Sequence, residues 1–237
     1  MKLAVWSGPR NLSTALMYCF GSRPDFAAID EPFYAAYLAK TGIKHPMQTE
    51  ILASQSTDAK DVGLALLDSI PNDKDHFYQK HMTHHFLEGF PMKWMDGCEH
   101  VFLIRHPARV LNSYRIKREK PTLADIGFVQ QLDLFERVRA LGKVPIVIDA
   151  SDIRAKPEKM IERLCDAVGI PFDPSMLNWP KGPKPFDGAW ADHWYNAVHE
   201  STGFSSNEAA IPDVGQDYSE ILQAAMKIYQ TLAAHKL

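Results

Sequence analysis

The segment KLAVWSGPRNLSTALMYCF, residues 2–20, predicts a strand, a loop and a helix in that order. Its apolar run Leu3–Trp6 is typical of a short buried strand, and Ser7–Asn11 interrupts the run with glycine and proline. In Leu12–Phe20 the apolar residues recur at helical spacing. A strand that leads through a tight loop into a helix is a building unit of α/β folds.

The same alternation continues along the chain. Further apolar runs predict strands at Phe26–Ile29, His76–Lys80, His100–Ile104 and Val144–Asp149. Amphipathic patterns predict helices at Thr49–Ser69, with its polar stretch Ser54–Asp61 in doubt, and at Ala108–Lys117, Phe128–Leu141, Pro157–Val168 and Tyr218–Ala234. This order implies an α/β fold with three layers, α/β/α, around a mostly parallel central sheet.

Composition limits the function classes. With 237 residues, 46% of them hydrophobic, the chain can bury a substantial core, and we expect a single domain over residues 1–237. The formal net charge of −3 argues against a broad surface for nucleic acid or an anionic membrane, and no apolar run is long enough to span a bilayer. We therefore expect a cytoplasmic protein with no nucleic-acid or membrane partner.

Cysteine usage and loop composition add two further expectations. The three cysteines are far apart and form no Cys-x-x-Cys pair, which argues against a disulfide framework or a structural zinc site. The stretch Asn178–Asn207 is rich in proline, glycine and tryptophan and is long for a connection, so we expect it to be functional.

The loop after the first predicted strand has the composition of an anion-binding site. A helix N-terminus exposes unpaired N–H groups and the positive end of a dipole, and ligands of parallel sheets lie beyond the carboxyl ends of the strands. Glycine would let the backbone turn sharply, arginine adds a charge, and two hydroxyl groups add donors. The candidate residues are Gly8, Pro9, Arg10, Asn11, Leu12, Ser13 and Thr14.

An ordinary strand–helix turn capped by Ser13 or Thr14 is the alternative interpretation of this loop. The pattern GxxxxGK[ST] of ATP- and GTP-binding loops is absent, since no lysine precedes Ser13. That absence weakens the hypothesis of a phosphotransferase that uses nucleoside triphosphates, which stays as an alternative.

A second candidate anchor lies in VFLIRHPARVLNSYRIKRE, residues 101–119. Arg105 ends a strongly apolar strand, where an unpaired charge is costly unless it faces a partner or a ligand. Ser113 follows eight positions later on the next helix, so both could converge on one oxyanion. The neighbouring cations are interpreted as a solvated helix face: Arg109, Arg115, Lys117 and Arg118.

Together these two segments resemble the sulfotransferases that use 3′-phosphoadenosine-5′-phosphosulfate (PAPS), in particular the bacterial-type branch of the P-loop sulfotransferases. SGPRNLSTAL is similar to the 5′-phosphosulfate loop of that family, with Arg10 at its basic position and Ser13-Thr14 as its hydroxyl pair. LIRHPARVLNSY is similar to the 3′-phosphate motif, with Arg105 and Ser113 at the matching positions. The resemblance implies a fold like that of P-loop NTPases, PAPS as co-substrate, 3′-phosphoadenosine-5′-phosphate (PAP) as product, and no metal.

Later segments extend the resemblance. DASDIRAKPEKMIERLCDAVGIPFD, residues 149–173, is similar to the strand, acidic turn and proline-initiated helix of many members. WPKGPKPFDGAW resembles the late Lys-Gly loop of the family, by which Lys181 and Gly182 would contact the 3′-phosphate, although the spacing from Gly182 to Gly188 is longer than usual. Leu12 departs from the family, because many relatives have glycine there.

The acceptor needs a general base, and Glu31 is the first candidate. It follows the second predicted strand in Asp-Glu-Pro and resembles the catalytic glutamate of the carbohydrate and bacterial branches. His81 is the second candidate, because Lys80-His81 resembles the Lys-x-His site of the cytosolic branch with its register shifted by one residue. Lys80 could stabilise the bridging oxygen, and Arg10 the leaving phosphate.

Alternatives to these roles remain. Glu31 could cap a helix begun by Pro32. His84 and His85 are interpreted as plain histidines, and the group of His45, His81, His84 and His85 lacks the carboxylate pattern of a metal site.

The acceptor itself is expected to be a small molecule or a sugar, because aromatic side chains could line its pocket. The same aromatic residues could equally fill the core, and they are Phe33, Tyr34, Tyr37, Trp94, Trp190, Trp194 and Tyr195. A sulfotransferase acting on a hydroxyl or amine is thus the main hypothesis. A kinase-like phosphotransferase and a nucleotide-binding module without turnover are the alternatives, and a homodimer is the expected form if the chain associates.

Overall fold

The computed structural model describes residues 1–115, 121–205 and 208–237. Lys117, Arg118 and the end of the predicted helix Ala108–Lys117 lie outside these ranges, as do the last two residues of the predicted loop Asn178–Asn207. Within the described part, five strands pair in parallel in the order β2-β3-β1-β4-β5. They are β1 Lys2–Ser7, β2 Phe26–Asp30, β3 His76–Met82, β4 Cys98–Ile104 and β5 Ile146–Asp149.

Helices cover both faces of the sheet. They are α1 Ser13–Gly21, α2 Tyr34–Thr41, α3 Gln48–Ser54, α4 Ala59–Leu67, α5 Pro107–Tyr114, α6 Phe128–Ala140, α7 Ala150–Ala155, α8 Pro157–Val168, α9 Ala191–Trp194, α10 Asn196–His199 and α11 Ser219–Ala233. Apolar side chains of α1, α7 and α8 fill one core, and those of α4, α6 and α11 belong to the other. The predicted α/β fold with a mostly parallel central sheet is confirmed.

Strand β1 explains why the opening run is continuously apolar. Successive side chains of a strand point to opposite faces, so Leu3 and Val5 enter the core beneath α1 and α8, while Ala4 and Trp6 enter the core beneath α6 and α11. All four are buried. A central strand buried on both faces therefore carries no polar alternation.

The predicted helix Thr49–Ser69 is interrupted within Ser54–Asp61, the stretch that the sequence left in doubt. It divides into α3 and α4 at the polar stretch, where the Asp58 carboxylate accepts a hydrogen bond of 2.8 Å from the Lys60 N–H and caps α4. The last strand begins at Ile146 rather than Val144, because Val144 is 87% exposed and Pro145 has no N–H to donate. Helices α7, α9 and α10 were not predicted, and α2 lies where a helix begun by Pro32 was considered only as an alternative.

Parallel strands bring their carboxyl ends to one edge of the sheet. The loop after β1, Glu31 after β2, Lys80 near the end of β3 and Arg105 after β4 consequently share this edge. Of the helices in the described ranges, none has the length and apolar character needed to cross a membrane.

Candidate active site

A cavity of about 710 Å³ opens at the carboxyl edge of the sheet. It connects the loop after β1 with the polar residues at the ends of β2, β3 and β4, and aromatic residues of the late loop form its opposite wall. The lining residues that the sequence singled out are Pro9, Arg10, Asn11, Leu12, Ser13, Thr14, Glu31, Lys80, Arg105 and Ser113.

The loop between β1 and α1 is strained at two positions. Arg10 has φ 64° and Leu12 has φ 71°, both in the left-handed region, which costs roughly 1–2 kcal/mol for a residue other than glycine. Leu12 precedes the first residue of α1 and makes no side-chain hydrogen bond to the helix. The interpretation as a Ser- or Thr-capped turn is thus wrong, and the first residues of α1 line the cavity without a side-chain cap.

Gly8 has a different role from the predicted sharp turn. Its φ is not positive, and a Cβ atom at this position would lie 2.6 Å from the carbonyl oxygen of Ile126. A Cβ atom on Gly127, which has φ 73°, would in turn lie 3.2 Å from the Cα atom of Gly8. Glycine at position 8 therefore allows the segment before α6 to press against the loop and fix its position.

The two predicted anchors are in direct contact. Arg10 Nε donates a hydrogen bond of 2.8 Å to Ser113 Oγ, and Arg105 Nη1 donates one of 2.7 Å to the Arg10 carbonyl oxygen. Burial and the positive charge of Arg105 both lower the pKa of Arg10. The cavity therefore holds cations at its loop end, an environment that suits an anionic ligand.

Two further arginines, Arg109 and Arg154, lie near Arg105. Arg105 after β4, Arg109 on α5 and Arg154 on α7 surround the carboxylate of Glu208, at 2.6, 3.5 and 3.8 Å respectively. The interpretation of Arg109 as part of a solvated face is wrong, because its side chain is only 14% exposed and pairs with Glu208.

Lys80 is the centre of a buried polar cluster at the other end of the cavity. Its ammonium group donates to Asp30 Oδ1 at 2.8 Å, to Glu31 Oε1 at 2.6 Å and to the Tyr195 hydroxyl at 2.6 Å. Tyr195 in turn donates to Asp30 Oδ2 at 2.7 Å and accepts from Trp190 Nε1 at 3.0 Å. Burial alone would lower the pKa of Lys80, but the two carboxylates outweigh it and raise the pKa above its usual value.

Glu31 is both strained and electrostatically perturbed. Its φ is 39°, and its carboxylate pairs with Lys80 while the other oxygen lies 3.4 Å from Nδ1 of His85. It does not cap a helix, since α2 begins at Tyr34 and follows Phe33. Burial raises the pKa of Glu31 to about 7, against the opposing charge of Lys80 and with the support of Asp30. A carboxyl group with this pKa can exchange a proton near neutral pH.

Comparison with known proteins identifies the family. A family model described as a sulfotransferase domain matches residues 1–236. The chain belongs to the sulfotransferase domain family. The predicted family is confirmed over nearly the whole chain.

Two curated relatives of this sulfotransferase domain come from Arabidopsis thaliana. The chain is 36% identical over 230 residues to "Branched-chain-amino-acid aminotransferase-like protein 1", covering 97% of the chain and 41% of the relative. It is 35% identical over 231 residues to "Branched-chain-amino-acid aminotransferase-like protein 2", covering 98% of the chain and 41% of the relative. The chain therefore spans about two fifths of the length of these relatives.

Solved sulfotransferase structures share the fold. The chain superposes on the sulfotransferase domain of the Synechococcus PCC 7002 olefin synthase with a TM-score of 0.54 at 16% identity, covering 98% of this chain and 94% of that one. The sulfotransferase domain of the curacin biosynthetic pathway gives 0.57 at 14% identity, covering 98% and 96%. A sulfotransferase from Alicyclobacillus acidocaldarius gives 0.60 at 12% identity, covering 99% and 96%.

His81 does not fit the role of alternative base in this sulfotransferase domain. Adjacent strand residues face opposite sides of the sheet, so Lys80 lines the cavity while His81 stacks between Trp6 at 4.5 Å and Trp94 at 4.8 Å in the core below. Burial lowers the pKa of His81 well below its usual value. The four histidines do not share one site either, because His45, His84 and His85 line the cavity and His81 does not. Among the described residues, no group of three or more His, Cys, Asp or Glu is arranged to hold a metal.

The late loop contributes other residues than predicted. Lys181 is exposed and lies 3.4 Å from Glu200, and neither it nor Gly182 is among the described residues that line the cavity. Gly182 has φ 90° and donates to the His199 carbonyl oxygen at 2.7 Å. A contact of this pair with the nucleotide stays a prediction. Trp190 and Tyr195 of the same stretch do line the cavity.

Sequence reasoning missed several residues of the site. His85 was interpreted as a plain histidine but stacks on Tyr34 at 4.2 Å beside Glu31. Asp30 was visible only as the neighbour of Glu31, and no motif pointed to Arg154. Of the seven aromatic residues considered for the acceptor, four line the cavity, namely Tyr34, Trp190, Trp194 and Tyr195. The other three, Phe33, Tyr37 and Trp94, pack in apolar clusters and do not line it.

Proposed function

We propose that this sulfotransferase moves a sulfuryl group from PAPS to a hydroxyl or amine of a small-molecule or carbohydrate acceptor and releases PAP. One observation carries the proposal. The same cavity has an arginine-rich anion site at one end, where Arg10 meets Ser113 and Arg105, and a buried carboxylate–lysine pair, Glu31 and Lys80, along its wall. An anionic donor and a proton acceptor can therefore face one acceptor molecule.

The donor would lie across the loop after β1. The N–H groups at the start of α1, together with Arg10 and the hydroxyls of Ser13 and Thr14, suit the 5′-phosphosulfate. Arg105 and Ser113 suit the 3′-phosphate, because guanidinium–phosphate contacts are charge-assisted and directional. The sequence departure at Leu12 is compatible with this role, since Leu12 takes the left-handed conformation that glycine would favour.

Transfer forms a bond between the acceptor oxygen or nitrogen and sulfur and breaks the bond between sulfur and the phosphate oxygen. The bonding electrons pass to that phosphate oxygen, and Arg10 with the loop N–H groups compensates for the added charge. Glu31 takes the proton of the acceptor on its oxygen that faces His85. The acceptor ring would rest against Tyr34 and Trp190.

Lys80 contributes mainly through Glu31. A lysine ammonium has three hydrogens, and the three acceptors around Lys80 already use them. A contact of Lys80 with the bridging oxygen would therefore require one of these hydrogen bonds to open. Turnover of a Lys80 variant tests this part of its predicted role.

Calorimetry with PAP, ATP and GTP tests the donor. We expect PAP to bind and both triphosphates to bind much more weakly. We expect Arg105→Ala to raise the Kd of PAP by about 10- to 100-fold, because a hydrogen bond to a charged group is worth about 1.5–3 kcal/mol. Arg139→Ala, which removes an exposed arginine paired with Glu136 on α6, is the control and should bind as the wild type does. Tighter binding of ATP than of PAP would overturn the proposal in favour of a phosphotransferase.

Turnover tests the base. With labelled PAPS and a panel of small hydroxyl and amine acceptors, we expect Glu31→Gln to lower the rate by at least about 100-fold, a typical contribution of general base catalysis. Its affinity for PAP should not change. Transfer at the wild-type rate by this variant would exclude Glu31 as the base, and loss of PAP binding would show that its role is structural. The cytoplasmic location and the homodimer stay predictions.

A further inference from the structure

The carboxylate of Glu208 lies among three arginines, of which Arg105 and Arg154 line the cavity. Arg105 donates to its Oε1 atom twice, from Nη2 at 2.6 Å and from Nε at 3.1 Å. Arg109 Nε lies 3.5 Å from Oε2, and Arg154 Nε lies 3.8 Å from Oε1. All four side chains are at most 20% exposed. Charges held in such surroundings interact more strongly than they would in water.

One carboxylate does not satisfy this cluster. Arg154 Nε is buried and has no hydrogen-bond partner, since 3.8 Å from Glu208 is too long for one. Arg154 and Arg105 both line the cavity. Three guanidinium groups face a single negative charge with two acceptor atoms, whereas a phosphate monoester offers up to two charges and three acceptor oxygens.

We propose that the carboxylate of Glu208 occupies the position of the 3′-phosphate of the donor, and that Arg109 and Arg154 join Arg105 as ligands of that phosphate. The inference rests on the proposed function, because it takes a 3′-phosphorylated nucleotide as the ligand. The partnerless Arg154 Nε marks the place where a phosphate oxygen would bind. Glu208 then competes with the donor, and every binding event must displace it.

The competition has a measurable consequence. Replacement of Glu208 by glutamine keeps the shape of the side chain but removes its charge, and charge-assisted hydrogen bonds are roughly twice as strong as neutral ones. The phosphate then displaces a more weakly bound side chain from the arginines, and we expect the Kd of PAP to fall about tenfold. Adenosine 5′-monophosphate lacks the 3′-phosphate, so its Kd should change little.

Calorimetry of PAP and adenosine 5′-monophosphate with the wild type, Glu208→Gln and Glu136→Gln is the first test. Glu136 pairs with Arg139 on the exposed face of α6 and serves as the matched control, with no expected change for either nucleotide. An unchanged or weaker affinity of Glu208→Gln for PAP would overturn the proposal. An equal fall in Kd for both nucleotides would overturn the assignment to the 3′-phosphate. It would then reflect the change in the overall charge of the cavity and not a contact with that phosphate.

Arg154→Gln in the Glu208→Gln background is the second test, because the carboxylate is then absent and cannot mask the effect. We expect this variant to bind PAP at least about tenfold more weakly than Glu208→Gln alone and to bind adenosine 5′-monophosphate equally well. Equal PAP affinity with and without Arg154 would exclude it as a ligand. If the wild type binds no PAP, the proposed function and this inference both fail. If it binds PAP and the variants behave alike, only the inference fails.

Discussion

At the residue scale, Lys80 shows how a charge can be held in a cavity wall while its side chain is only 1% exposed. Its nitrogen has three oxygen neighbours within 2.8 Å, from Asp30, Glu31 and Tyr195. Removal of one partner from a buried ion pair costs about 3–5 kcal/mol, because the other charge is left uncompensated. With one lysine and two carboxylates, the cluster is neutral only when one carboxyl group is protonated, and Glu31, which faces the cavity, is the one with a pKa near 7.

The pH dependence of stability checks this assignment. Burial raises the pKa of Glu31 from 4.5 to about 7, so the unfolded chain loses this proton at a lower pH than the folded protein. The stability that Glu31 contributes is therefore complete below pH 4.5 and declines as the pH rises to about 7. Relative to the wild type, the free energy of unfolding of Glu31→Gln should increase across this window by on the order of 3 kcal/mol.

Urea denaturation at a series of pH values measures this difference. Glu99→Gln, an exchange of an exposed glutamate on β4, is the control and should follow the wild type at every pH. A constant difference between wild type and Glu31→Gln would mean that Glu31 keeps an ordinary pKa.

At the element scale, the β1–loop–α1 unit depends on its contact with the segment before α6. The sequence predicts the strand, the loop and the helix correctly, because periodicity and turn residues are local signals. The reason for glycine at position 8 is not local, since it involves the Ile126 carbonyl, more than 100 positions away in the chain. The same limit applies to His81: a one-residue change in register decides which face of a sheet a side chain joins.

Gly8→Ala tests that contact. A methyl group 2.6 Å from a backbone carbonyl must displace either the loop or the segment before α6, which costs typically 1–3 kcal/mol. We expect this loss in the free energy of unfolding and, because the loop moves, a weaker affinity for PAP. Gly97→Ala, where a Cβ atom would meet nothing within 4 Å and φ is not positive, is the control. Equal stability of the two variants would contradict the close approach.

At the scale of the whole molecule, two tyrosines join parts of the chain that are far apart. Tyr195 reaches across 165 positions to Asp30, and Tyr229 of α11 reaches across 80 positions to Asp149 at 2.6 Å. Each hydroxyl donates to a buried carboxylate, but of the two tyrosines only Tyr195 lines the cavity. Neither pair follows from the sequence, because no local pattern specifies contacts at such separations. The pairing of Arg105 with Glu208, 103 positions apart, was not predicted for the same reason, although Arg105 itself was.

Tyr195→Phe and Tyr229→Phe form a matched pair of variants. Both remove one hydroxyl from a buried carboxylate, so both should lower the free energy of unfolding by about 1–3 kcal/mol, the cost of an unsatisfied buried group. Only Tyr195→Phe should also lower turnover, because it loosens Lys80 and Glu31. Denaturation and sulfuryl transfer measured on the same preparations separate the two effects. Similar turnover of both variants would show that Tyr195 merely supports the fold.

The left-handed backbone at Arg10, Leu12 and Glu31 concentrates conformational strain at the cavity, which matters for protein engineering. Screens that select for heat resistance reward substitutions that relieve backbone strain, and glycine in place of Arg10 or Leu12 would relieve it. At Glu31 the same exchange would also remove a partner of the buried Lys80 ammonium group. Clones with glycine at position 10 or 12 would survive heating yet handle their ligands poorly, since robustness and activity often conflict where strain is concentrated. Directed evolution of this scaffold should therefore hold these three codons fixed and vary sites elsewhere.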